Sequence, residues 1–180
     1  RKLIRNVTVL SFIAGLLGSK SSLAYANESN TGTLSGSPGM DGAQIIDWHA
    51  ELTKRITKLE EQGGGTLELG DGVYEIDKSL LLPTSVSLVM TPNAVIRAKP
   101  NFQGDAVVIK GGGENSKFSH TSGWIRGGVI DGGQQPLTGL RLSGGRLDIA
   151  DLIVLNATYK GIHLLRGYEM NITRVRCDID

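Results

Sequence analysis

The chain has 180 residues, the size of one domain, and its composition (39% hydrophobic, 21% charged) excludes a disordered polypeptide. Its 25 glycines, roughly twice the usual share, follow no three-residue period, which excludes collagen. The single cysteine, Cys177, excludes an internal disulfide framework and a cysteine-based zinc site. His49, His120 and His163 share no metal-ligand spacing, and a net charge of +1 speaks neither for nor against a nucleic-acid partner.

The first segment is basic at Arg1, Lys2 and Arg5, then apolar from Val7 to Leu17. That run is too short to span a bilayer as a mature helix. Ala24-Tyr25-Ala26 follows, with small residues at the two positions a signal peptidase reads. Residues 1–26 are therefore expected to be a signal peptide, cut after Ala26, that sends the chain to the periplasm or the exterior, with no membrane association afterwards. They hold four Lys/Arg and no acid, which leaves 15 bases against 18 acids, a net −3, in the remainder. Residues 27–40 are small and polar and read as a linker.

Over 41–62, Ile45, Trp48, Leu52, Ile56 and Leu59 recur at three- or four-residue steps, which predicts an amphipathic helix with Asp41 as its cap and Gly63-Gly64-Gly65 as its stop. From Thr66 the period shortens. The runs TLEL, VYEI, SLLL, VSLVM, AVIRA, AVVI and WIRGGVI alternate with Gly, Pro, Asn or Asp breaks. The last third repeats. Gly139, Leu140 and Leu142 recur 22 residues later at Gly161, Ile162 and Leu164. Leu147, Ile149, Leu152 and Val154 recur 23 later at Met170, Ile172, Val175 and Cys177, and Ile125 lies 22 before Leu147. A period of 22–23 with several strands per repeat predicts an all-β solenoid, a single-stranded parallel β-helix. Its inward set is Leu140, Leu142, Leu147, Ile149 and Leu152, continued by Ile162, Leu164, Met170, Ile172 and Val175. The 41–62 helix is expected to cover the first coil. The strand pattern still runs at 178–180, so residues 63–180 are expected to be about five coils of an incomplete stack.

The run GGGTLELGDGVYEI (63–76) and the segment WIRGGVIDGG (124–133) resemble the pectate-lyase-like right-handed β-helix superfamily, and that resemblance implies two chemistries to weigh against the residues. Hydrolysis of a glycosidic bond needs two carboxyls facing one groove, about 5–10 Å apart. The candidates are Asp131, Asp148, Asp151, Asp178 and Asp180. Asp151 aligns with Arg174 one coil on, the spacing of a surface ion pair, and Asp131 in Asp-Gly-Gly reads as a turn residue. Lyase chemistry needs cations against a uronate, for which Lys160, Arg166, Arg174 and Arg176 are available on turns where solvated bases are common. Calcium would enter only with lyase chemistry, and no acidic cluster points to it; otherwise no cofactor or metal is implied. His163 is a potential acid or base. Trp124, opening a strand, is a potential sugar-stacking platform, whereas Trp48 reads as core.

The run GGGTLELGDGVYEI (63–76) behind the helix resembles the opening of the pectate-lyase-like right-handed β-helix superfamily, with Gly63, Gly64, Gly65, Thr66, Gly72, Tyr74 and Ile76 matching GGGTVYLPAGTYxI. WIRGGVIDGG (124–133) is similar to the GGxIDGxG segment of its polygalacturonase-type glycoside hydrolases, and His163 stands where those enzymes often carry a histidine in a GIHL-type strand. The resemblance spans roughly 41–180. It implies a secreted carbohydrate-active enzyme acting on an acidic polysaccharide such as pectin, by hydrolysis or elimination, with catalytic motifs after residue 180. The family's Asn-Thr-Asp, Asp-Asp, Gly-His-Gly and Arg-Ile-Lys motifs are not in this chain. By that likeness Asp178 and Asp180 are the best-placed carboxylates, with His163 beside them and Trp124, Lys160 and Arg166 as substrate contacts, although Asp178-Ile179-Asp180 is not Asn-Thr-Asp. The alternative is a non-catalytic β-helix, a surface-binding or adhesin module. The expected partner is a polysaccharide, with no nucleic acid or membrane.

Overall fold

Asp47 takes an extended backbone and its carboxylate accepts a 3.1 Å hydrogen bond from the Ala50 amide, which starts helix α1, Trp48–Glu61. The computed structural model describes residues 46–111 and 122–178. The expected signal peptide, linker and Asp41 cap lie outside them. Leu52 and Ile56 of α1 are buried, Leu59 packs against the core, and the Trp48 ring meets Tyr74 edge to face at 4.8 Å. The apolar stripe thus lies on the first coil, as its spacing predicts. Gly63 and Gly64, at φ +89° and +120°, end the helix and turn the chain into the first strand.

The rest is a parallel β-solenoid of about five turns. The first wall is built from β1 (Gly65–Leu69), β3 (Val86–Met90), β5 (Gly123–Arg126), β8 (Leu147–Ala150) and β11 (Asn171–Thr173), in that spatial order. Two longer strands, β2 (Gly72–Leu82) and β4 (Ala94–Lys110), bend round a corner, so each supplies both of the other walls. Their first halves lead into β6 (Val129–Gln135), β9 (Ile153–Ala157) and β12 (Arg176–Asp178) on the second wall. Their second halves lead into β7 (Thr138–Gly145) and β10 (Lys160–Tyr168) on the third.

The register puts like residues above like. Leu67, Leu88, Ile125, Ile149 and Ile172 form one inward column, and Ile162 over Leu140 and Leu164 over Leu142 continue two others. The expected partner of Ile125 is corrected. It stacks under Ile149, while Leu147 stacks over Gly123, because the chain carries extra residues between Asp131 and Gln135, where the register against β9 shifts. Leu140, Leu142, Leu147, Ile149 and Leu152 are at most 1% exposed; Ile162, Met170 and Val175 pack against them, and Leu164 and Ile172 are more than 40% exposed.

The corners need positive φ. Gly127 supplies it at +75°, where a Cβ would stand 2.1 Å from the Met90 carbonyl oxygen. One and two turns on, Asp151 and Arg174 occupy the equivalent corner at φ +56° and +50°. Their side chains form the two-pronged ion pair that the 23-residue offset predicts, at 2.5 and 2.8 Å. Gln134 and Asn156 take positive φ at another corner, where the Gln134 side-chain nitrogen donates a 3.0 Å hydrogen bond to Asn156 Oδ1. Among the described residues no helix is long and apolar enough to cross a membrane.

Candidate functional site

Because Leu67, Leu88, Ile125 and Ile149 point inward, their neighbours point out. On the first wall this aligns Thr66, Ser87, Trp124, Asp148 and Asn171, one per rung. An open groove of about 460 Å³ lies along this column and the adjoining corner. Its lining is rich in hydroxyls (Thr66, Thr84, Ser85, Ser87 and Ser122), with Trp124, Arg146 and Asp148 at one side.

Trp124 is 40% exposed in this groove. The Arg126 guanidinium lies over its ring, 5.7 Å from the centroid, and is anchored by an ion pair to Asp148. Asn171 donates to the other Asp148 oxygen at 3.4 Å. Arg146 pairs with Glu169 at 3.0 Å. The indole is therefore held from one side by a tethered cation and presented among hydroxyls. Such a surface suits a ligand with an apolar face and a polar rim, and sugars have that shape.

Beneath the groove sits Lys110, fully buried in an inward column between Leu82 and Leu142. Its ammonium donates to the carbonyls of Pro83, Thr84 and Val86 at 2.6, 3.0 and 2.6 Å. Burial lowers its pKa to about 8. No motif announced this residue. The available signal was a lysine at an inward position, two residues after Val108 in the run AVVIK.

The other expected site residues lie elsewhere. Asp178 is on the second wall, paired with Arg176 and one rung above Leu155. Asp180 is outside the described residues. His163 is on the third wall, one rung above Arg141, whose guanidinium pairs with Asp105. Lys160 places its ammonium 4.7 Å from the Tyr159 ring centroid, and Arg166 is exposed opposite Ser143. His163, Lys160 and Arg166 thus share one strand, whereas Trp124 and Asp178 stand on two different walls.

Asp131, one rung below Leu155 on the second wall, is 6% exposed. Burial pushes its pKa up, but hydrogen bonds from the Gly133 amide (3.0 Å), Asn156 (3.0 Å) and Arg97 (2.8 Å) outweigh it and hold the carboxyl below its usual range. A carboxylate engaged by three donors and held below its usual range is an anchor and cannot serve as a proton donor near neutral pH. Among the described residues no cluster of three or more His, Cys, Asp or Glu side chains is gathered to hold a metal.

Comparison with known proteins gives no match: none to a protein-family model, none to a curated protein and none to a solved structure.

Proposed function

We propose that this chain belongs to a secreted carbohydrate-active β-solenoid working on an acidic polysaccharide such as pectin, and that the described turns grip the polymer. The carrying observation is the exposed Trp124 ring, backed by Arg126 in a hydroxyl-lined groove. A sugar ring laid on the indole buries its C–H face, while its hydroxyls reach the side chains around it. Successive rungs stand ~4.8 Å apart, so a chain running across them meets a new outward side chain at every step. The preference for an acidic glycan rests on the likeness of the 63–76 segment to the pectate-lyase-like superfamily and of 124–133 to its polygalacturonase-type members, and on Arg126 and Arg146 beside the ring.

A second reading, binding without cleavage, is favoured by the ion pairs. Asp131, Asp148, Asp151 and Asp178 each face an arginine. Hydrolysis requires a free pair of carboxyls facing one groove, and each of these four is instead engaged by its arginine.

Titration with polygalacturonate oligosaccharides and with a neutral glucan, followed by calorimetry and, in the parent chain, by tryptophan fluorescence, tests the proposal. Binding should shift the emission, and Trp124→Ala should weaken it at least tenfold, about 1.4 kcal/mol. Unchanged affinity in Trp124→Ala, or no binding to either polymer, would overturn it. Release of reducing ends or unsaturated uronates would decide for catalysis over plain binding; from this 180-residue chain none is expected.

A further inference from the structure

A buried ammonium needs strong compensation, because removal from water penalises its charge. Lys110 finds it in one short stretch of backbone. All three of its N–H donors are matched by the carbonyls of Pro83, Thr84 and Val86. These carbonyls belong to the turn between β2 and β3 and to the first residue of β3, and the turn is closed by the Val86 amide on the Pro83 carbonyl at 3.1 Å. The same turn supplies Thr84 and Ser85 to the groove, and Ser87 follows at once. Ser87 in turn touches the ring-bearing strand, since its hydroxyl accepts from the Trp124 amide at 3.3 Å.

Gly123 completes the contact. A Cβ there would stand 2.5 Å from the Ser87 hydroxyl and 3.9 Å from the Lys110 ammonium. The missing side chain lets Ser87 approach the Trp124 backbone, and it places that approach next to the ammonium. An unbroken chain of contacts therefore runs from Lys110 through the 83–86 carbonyls and Ser87 to Trp124.

We propose that Lys110 is a positioning residue for the groove. Its ammonium fixes the 83–87 backbone from inside the solenoid, and that backbone sets both the hydroxyl side of the groove and the seat of Trp124. The role in ligand binding rests on the reading that this groove takes a glycan; the role in placing the 83–87 segment does not. Leu82 and Leu142, the neighbours in its column, show what an ordinary occupant of the position would be. A leucine or methionine would fill the volume and take the ammonium from all three carbonyls, leaving that of Pro83 with the Val86 amide.

The test uses the full chain carrying Trp48→Phe, so that Trp124 is the reporting indole. In that background Lys110→Met is compared with Val154→Ala, a core truncation in β9 on the second wall. Lys110→Met should shift Trp124 emission, raise hydrogen exchange at the Val86 and Ser87 amides at least tenfold, and weaken polygalacturonate binding at least tenfold. Val154→Ala should lower the melting temperature while changing none of the three. Ser87→Ala keeps the staple and cuts the link, so it should shift the emission without opening the 84–86 turn; it decides the matter should Lys110→Met not fold. A folded Lys110→Met with unchanged emission and exchange, or a silent Ser87→Ala, would overturn the proposal. Absence of glycan binding by the parent chain would instead remove the glycan reading, while emission and exchange would still report on Lys110.

Discussion

Asp131 shows how one side chain ties a solenoid wall together. Its carboxylate joins Arg97 from the turn below to Asn156 from the turn above, and it closes its own corner through Gly133. Removing it leaves a half-buried amide N–H and an amide side chain without this acceptor, and releases the Arg97 charge. Asp131→Ala should therefore cost about 3 kcal/mol of unfolding free energy in urea. Asp131→Asn keeps the shape and should cost less, but it should remove an acid dependence. The sign follows from the lowered pKa. The folded form holds the proton more weakly than the unfolded chain, so the stabilisation is complete above the unfolded value near 4 and is lost as pH falls through the folded value. Denaturation midpoints at pH 6 and pH 3 should converge for Asp131→Asn relative to the parent. A parallel acid loss in both would show that other carboxylates carry it. The Asp-Gly-Gly sequence made the turn bond legible, and the 23-residue repeat made Asp151–Arg174 legible. The Arg97 contact was not, because it crosses 34 residues of irregular spacing.

At the scale of the element, α1 illustrates both what periodicity settles and what it leaves open. The apolar steps identify the buried face, because Leu52 and Ile56 must be on one side of any helix through them. They do not choose a start, since Asp41 and Asp47 both precede apolar residues on that face and both are good caps. The geometry favours Asp47, whose carboxylate meets the Ala50 amide, while the preceding Ile46 is 52% exposed. Asp47→Ala should lower stability by about 1 kcal/mol, the usual cost of losing a cap. Leu52→Ala should cost about 2–5 kcal/mol, because it opens the contact between α1 and the first coil. Paired urea melts distinguish the two, and equal costs would mean that α1 contributes little beyond its cap. The pair Glu51–Arg55 is on the exposed side and adds little. The strands carry a matching lesson. AVIRA and AVVI read as two separate runs, yet β4 is continuous over Ala94–Lys110, because β2 makes the same bend beside it and keeps pairing on both walls. Backbone pairing across a corner leaves no mark in hydrophobic alternation.

For the whole molecule, the repeat made the solenoid legible, whereas the groove was not. Offsets of 22–23 residues determine which side chains stack, but the groove collects the 65–66, 84–87, 122–124 and 146–148 segments, which span an irregular interval of 37 residues between Leu88 and Ile125. Trp124 stood out as a single aromatic residue; its hydroxyl surroundings came from corners that have no common pattern. The same architecture governs stability, because each turn touches only its neighbours and cooperative energy is passed from rung to rung. The column Leu67, Leu88, Ile125, Ile149, Ile172 offers a direct measure. Ile125 is 0% exposed with rungs on both sides, whereas Ile172 is 42% exposed and belongs to β11, which pairs with β8 alone among the described strands. Ile125→Ala should therefore cost about 3–4 kcal/mol, from lost burial and the cavity left between two coils. Ile172→Ala should cost about 1 kcal/mol or less, since water already reaches that position. Hydrogen exchange should separate them further. Ile125→Ala should raise exchange in β3, β5 and β8 together, because the cut falls between coupled rungs, while Ile172→Ala should act on β11 and β12 and leave β3 untouched. Equal costs for the two, or exchange rising throughout the chain in both, would show that the solenoid melts as one indivisible unit rather than by nearest-neighbour coupling.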